Sequence, residues 1–328
     1  MKNALINFLY WFDSTSQLTL IKIITHIYHI DNIVFNSVFR SMTLPYYIYK
    51  LKKYQSENKD KVLVARWCDI VNGILDQLDI ILSYIGFVEL SIGEYITLRT
   101  LSVFFGGLYL IFYNKKLLSA QKMLGIGLIF LACIILLVFY SGGNFFYSLV
   151  CIISSVVYSL IGFLIELNVK TDEERSLNFY WSKSISYVIA LFIGIVNEFN
   201  YHTISSILSK YIVRDIIIII ALEFIISLLE NFYYYLKITL ISNYPKNGSI
   251  VTQFLDIIRR FSLIIIGVVF FSEVYTSVIF VSLSLMFVGS LLGLVNYDNI
   301  LSIYQKYFKI NNTINVDLPD IDIVCINK

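Results

Sequence analysis

CDIVNGILDQLDIILSY, residues Cys68 to Tyr84, and LEFIISLLENFYYYLKI, residues Leu222 to Ile238, decide the fold. Laid together they put Asp69 on Glu223, Gly73 on Ser227, Asp76 on Glu230 and Gln77 on Asn231, each pair 154 positions apart. Both stretches are otherwise apolar and long enough to cross a bilayer. An ionised side chain at the centre of a membrane helix costs on the order of 3 kcal/mol, so these acids must face a cavity, each other, or cations. On the first helix Asn72, Asp76, Asp79 and Ser83 recur at i, i+4, i+7 and i+11, which is one helix face. On the second, Glu223, Ser227, Glu230 and Lys237 recur at i, i+4, i+7 and i+14, again one face. A polar pattern repeated in two membrane helices points to a transporter with its site between two related halves.

Composition agrees. The chain of 328 residues is 58% hydrophobic and only 15% charged, with 3 prolines, too little charge to cover a soluble domain of this size. The net charge of +2 offers no basic surplus, and nucleic acid is not an expected partner. Four scattered cysteines, Cys68, Cys133, Cys151 and Cys325, read as small buried residues rather than disulfides. The first apolar run, Ala4 to Phe12, has no small-residue cleavage site after it, so no cleaved signal peptide is expected.

Apolar runs of roughly 20 residues predict ten spans: 4–24, 30–51, 66–87, 91–113, 121–140, 145–167, 180–198, 213–238, 249–271 and 276–296. The first is the weakest, because Asp13 to Gln17 (DSTSQ) places a polar turn at its centre; as a span, it would bring that turn to the same cavity. Residues 1–298 form the membrane domain, with halves 1–143 and 144–298, and 299–328 read as a polar cytoplasmic tail. With the N-terminus in the cytoplasm, 18 of the 25 Lys/Arg fall on that side, including Lys183 and Lys237, only Lys22, Lys210 and Arg214 on the other, and four arginines lie within spans. Both termini are therefore expected to be cytoplasmic. The sequons at Asn247 and Asn311 would then carry no glycan.

The repeat extends beyond the acidic helices. Arg99 and Arg259, 160 positions apart, each begin an apolar stretch that ends in charge, at Asn114-Lys115-Lys116 and at Ser272-Glu273. Five spans per half is an odd number, so the halves would cross the membrane in opposite directions, as inverted repeats do. The expected fold is an all-α membrane protein of ten helices in two inverted five-helix repeats. The candidate substrate or proton pathway comprises Asp69, Asn72, Asp76, Asp79, Arg99, Glu223, Glu230 and Arg259. Asp256, three residues before Arg259, offers it a local ion pair. Gly106, Gly107, Gly125, Gly127, Gly289 and Gly293 read as close helix packing.

The chain resembles the drug/metabolite transporter superfamily and, within it, the solute carrier 35 family, most closely its F-type members. The resemblance rests on Cys68-Asp69 and on Leu98-Arg99 followed by Asn114-Lys115-Lys116-Leu117. It rests further on Leu255-Asp256-Ile257-Ile258-Arg259 with Glu273 fourteen residues on, and on Gly289. It implies ten spans, a central pocket, and exchange or proton-coupled movement of a small organic solute, a nucleotide sugar or related metabolite, across an endomembrane of Golgi, ER or lysosomal type. The acidic eighth span departs from the family pattern. It favours, as an alternative, the cationic or peptide-like solutes handled by the chloroquine-resistance transporters of the same superfamily. A membrane lipid or prenyl transferase is the rival class, since Asn72-x3-Asp76-x2-Asp79 is similar to one Asp-rich magnesium motif. No second such motif exists, so neither enzymatic activity, nor a metal, nor another cofactor is expected.

Overall fold

The computed structural model describes residues 2–30, 33–58, 64–114, 118–139, 145–243, 248–272 and 274–294. The expected tail 299–328, the sequon asparagines Asn247 and Asn311, Lys115, Lys116, Glu273 and Cys325 lie outside them. The described residues form helices and no strand. In chain order these are α1 (Lys2–Ile27), α2 (Ile33–Arg40), a 3-10 turn (Ser41–Thr43), α3 (Leu44–Glu57), α4 (Trp67–Glu89), α5 (Ile92–Arg99) and α6 (Leu101–Asn114). They continue with α7 (Ala120–Phe139), α8 (Phe145–Asn168), α9 (Asp172–Tyr201), α10 (Thr203–Leu208), α11 (Val213–Asn243), α12 (Gly248–Phe271) and α13 (Ser277–Leu294).

Among the described residues seven segments are long and apolar enough to cross a membrane: α4, α5 with α6, α7, α8, α9, α11 and α13. Their outer surface exposes Phe112, Phe139, Phe145, Phe192, Phe199 and Phe280, which suits acyl chains and not water. The protein is therefore all-α and membrane-embedded. The three remaining expected spans coincide with helical segments that carry polar interruptions. In α1 it is the turn from Asp13 to Gln17. Between α2 and α3 the chain tightens into the 3-10 turn, and Pro45 opens α3 where its missing N–H costs nothing. In α12 it is Asp256, Arg259 and Arg260.

Local signals set several helix ends. Helix α9 begins two turns before its apolar run, because the Thr171 hydroxyl accepts from Glu174 N (3.1 Å) while the Glu174 carboxylate accepts from Thr171 N (3.0 Å). Ser91 and Glu94 cap α5 in the same way. Glu166, near the end of α8, accepts from the backbone of Ser249 at 2.8 Å and so caps α12.

Helix α4 packs against α8 and α9, α11 against α1 and α2, and α7 against α13. The last pair approaches to backbone contact: a Cβ on Gly125 would stand 2.5 Å from the Gly289 carbonyl oxygen. Helix α1 is no peripheral surface helix, for it packs on α11 and α12 and buries Tyr10, Ile21 and Ile24.

Candidate functional site

A cavity of about 110 Å³ lies among α1, α2, α4, α5, α8, α9, α11 and α12. It is slightly smaller than the roughly 150 Å³ that accommodates benzene in an engineered protein cavity. Its wall is charged in two layers.

In the first layer Lys183 of α9 is the centre. Its Nζ donates to Asp76 Oδ2 at 2.8 Å and to Glu230 Oε1 at 2.9 Å, so the matched acids of the two repeated stretches meet on one ammonium. Lys183 is 1% exposed and sits over the Tyr234 ring at 4.5 Å. Arg40, the last residue of α2, approaches the other Glu230 oxygen at 3.6 Å. The neighbouring amides repeat the arrangement: Gln77 accepts from Ser186 (3.2 Å), and Asn231 donates to Thr43 (2.8 Å) while accepting from Tyr187 (2.6 Å). Two cations face two carboxylates, and the layer is neutral.

The second layer surrounds the Tyr158 ring of α8. Lys237 Nζ lies 3.5 Å from its centroid, and the guanidinium carbons of Arg99 and Arg260 lie at 4.6 and 6.0 Å. Arg99 makes a fork to Asp79, at 2.7 and 2.6 Å, and also donates to Ser154. Arg259 stacks over Tyr10 and Tyr233, at 5.3 and 4.9 Å. Among the described residues its ion-pair partner is Asp256, 3.5 Å away on its own helix, which also lies 3.9 Å from Arg260. The Asp256 carboxylate accepts from Tyr10 (2.5 Å) and from Tyr158. Four cations here face two carboxylates.

The eight residues expected in the pathway divide into two groups. Asp76, Asp79, Arg99, Glu230 and Arg259 line the cavity, with Ser83 from the same predicted face. Asp69, Asn72 and Glu223 do not. Asp69 closes one end of α4 through Arg66, which contacts both its oxygens at 3.1 Å, and through Asn178 at 2.7 Å. Arg66 continues to the Asn168 carbonyl and to Glu174 at 3.4 Å, tying α4, α8 and α9 together. Asn72 and Glu223 are buried beyond the cavity; neither amide atom of Asn72 has a hydrogen-bond partner, nor has Oε2 of Glu223. From the polar turn of α1, Gln17 reaches the cavity, while Asp13 is buried behind it.

The cavity is richer in cations than the acidic stripes implied. Arg40, Lys183, Lys237 and Arg260 all line it. Lys183 and Lys237, counted in sequence with the cytoplasmic charges, are instead 1% and 3% exposed inside the bundle. The positive-inside bias survives their removal. Lys237 already stood on the predicted polar face of its helix; the signal that could have found Lys183 is a lone cation within an apolar helix, in SKSISY, since such a group is seldom tolerated without a partner. Among the described residues no three His, Cys, Asp or Glu side chains gather as a metal site.

No family model matches the chain, and no curated protein matches it. Solved structures do share its fold. One, described as "Crystal structure of protein", superposes with a TM-score of 0.54 at 9% identity, over 88% of this chain and 98% of its own. At that identity the likeness concerns the path of the backbone and carries no function.

Proposed function

We propose that this protein is a secondary transporter of a small organic solute, working by alternating access between two inverted five-helix halves, as a member of the drug/metabolite transporter superfamily similar to solute carrier 35 proteins. The observation that carries the reading is a repeated set of contacts. Lys183 and Ser186 stand 143 positions after Arg40 and Thr43, and they meet Asp76 and Gln77 as Arg40 and Thr43 meet Glu230 and Asn231, 154 positions on. Gly73 lies against the Ser182 carbonyl, and its counterpart Ser227 bonds the Arg40 carbonyl, one place out of the same register. Tyr158 lies under Arg99 as Tyr10, 148 positions earlier, lies under Arg259. Two helix offsets that hold together for two contacts support a duplicated half over chance apolar similarity.

Paired helices follow suit. The packing of α4 on α8 and α9 has its counterpart in α11 on α1 and α2, with α7 and α13 meeting across the midline. This supports counting α1, α2 with α3, and α12 as spans eight to ten beside the seven apolar ones. Alternating access would then exchange the two sets of matched ion pairs around the fixed cavity. The same pairs occupy the carboxylates that an Asp-rich magnesium site would need, which favours transport over a prenyl transferase. The cation surplus disfavours cationic cargo. An endomembrane location with both termini in the cytoplasm completes the reading.

Solute exchange in proteoliposomes tests it. Preloaded vesicles bearing the purified protein should take up labelled organic solute only against a counter-solute or an imposed gradient, and Asp76→Asn with Glu230→Gln should abolish it. Vesicles that leak solute down its gradient without saturation would point to a channel and end the proposal.

A further inference from the structure

The two layers differ in what they leave unpaired. In the layer of Lys183 each carboxylate has a cation, and the open Nε of Arg40 belongs to a guanidinium that already faces the open Oε2 of Glu230 at 3.6 Å. Around Tyr158, Arg99 takes Asp79 as a fork, and Asp256 alone serves Arg259 and Arg260 while accepting from two tyrosine hydroxyls. Lys237 makes no hydrogen bond or ion pair among the described residues, and its Nζ rests on the Tyr158 face. Nε and Nη1 of Arg259 and Nη1 of Arg260 are buried without a hydrogen-bond partner. All three side chains are at least nine-tenths buried, and all three line the cavity. The charge of Arg259 also acts on Asp13; with Asp13 ionised, three carboxylates face the three guanidinium groups, and Lys237 is left without an acid of its own.

A buried cation without a counter-charge is strongly unfavourable, and an unmade charged hydrogen bond adds to the cost. Tyrosine faces offset part of it. Guanidinium N–H groups with no acceptor match an oxyanion, which takes several donors at once. Resting on the transporter reading, we infer that the end of the cavity bounded by Lys237, Arg259, Arg260 and Tyr158 is an oxyanion subsite, which holds the phosphate or carboxylate group of the solute. Arg99, neutralised by Asp79, is not its main donor. The uncharged remainder of the solute would meet Ser83, Tyr84 and Tyr95, which line the same cavity.

The test is thermal unfolding of the detergent-purified protein in potassium phosphate, potassium succinate or potassium chloride at matched ionic strength. Phosphate, succinate or both should raise Tm saturably where chloride does not, and the better of the two names the group. Lys237→Met and Arg260→Gln should each raise the half-saturating concentration by about tenfold or more, while Lys237→Arg and Arg260→Lys keep most of the response. Lys237→Met strands no carboxylate and should fold; Lys237→Gln repeats the test if it does not. The subsite is refuted if neither anion stabilises the wild-type protein beyond chloride, or if both neutral variants respond as wild type does. Anion binding in a protein that exchanges no solute would end the transport reading and leave the subsite standing. Exchange of solutes without any anion response would do the reverse.

Discussion

The Lys183 layer and the Tyr158 layer lie in one cavity, use the same residue types, and are built to opposite ends. In the first, charges are matched one to one, and the two acids of the repeated stretches share a single ammonium. Such a layer is neutral without a ligand, although Nε of Arg40 and Oε2 of Glu230 make no hydrogen bond. In the second, aromatic faces stand where carboxylates would be, and guanidinium donors are left open. Asp79 and Tyr233 hold matched places in the repeat, so one half neutralises its arginine with an acid and the other covers it with a ring. The lesson is that duplication fixes where polar residues stand, and substitution within one half decides which of them remains free for a solute.

Removing the centre of the balanced layer should have the largest effect. Lys183→Met leaves Asp76 and Glu230 facing each other in a buried site, and breaking a buried pair by deleting one partner costs about 3–5 kcal/mol. Thermal unfolding in detergent should show a large fall in Tm. The triple variant with Asp76→Asn and Glu230→Gln should regain most of it, since no stranded charge remains. A Lys183→Met protein as stable as wild type would mean that the layer is not held by this ammonium.

Next come the two matched arginines, which the layers treat differently. Arg99→Gln strands Asp79 and loses a fork, so it should cost about 3 kcal/mol or more. Arg259→Gln removes a cation with two open donors, and its acid Asp256 keeps Arg260 and two tyrosine hydroxyls, so it should cost less than about 1.5 kcal/mol in the absence of solute. Arg99→Lys should recover only part of its loss, because an ammonium cannot make the fork. Equal costs for Arg99→Gln and Arg259→Gln would erase the asymmetry.

Much of this was legible in sequence, for identifiable reasons. The face carrying Asp76, Asp79 and Ser83 follows from helical periodicity alone, and all three line the cavity. The backbone contact of α7 and α13 at Gly125 and Gly289 follows from small residues in apolar runs. The acids Asp69 and Glu223, matched in sequence, part company because each sits a full two turns from its cavity-lining partner, where Arg66 captures one and no donor captures Oε2 of the other. The cations were misjudged because an apolar run marks where a helix lies but not its depth. Lys183, three residues inside a predicted span, belongs to a helix whose capped start lies eight residues further back. Arg40 was hidden by the break between α2 and α3, which periodicity does not show.

The smallest expected effect probes how closely the two halves of the balanced layer mirror one another. Gln77 and Asn231 occupy matched positions, yet Gln77 has one bond, from Ser186 at 3.2 Å, and its Nε2 has no partner. Asn231 has two, with Thr43 and Tyr187. A net neutral hydrogen bond is worth about 1 kcal/mol, and a buried donor left unsatisfied costs about as much again. Gln77→Leu removes a weak bond together with an unsatisfied donor, so it should leave stability nearly unchanged or raise it slightly. Asn231→Leu removes two good bonds and strands the Tyr187 hydroxyl, and should cost about 2 kcal/mol. Thermal unfolding of the two single variants and the double variant gives the comparison directly. The double variant should show additivity, since the amides share no partner. A large loss from Gln77→Leu would mean that its amide binds something beyond Ser186, and the mirror relation would then hold for function as well as for position.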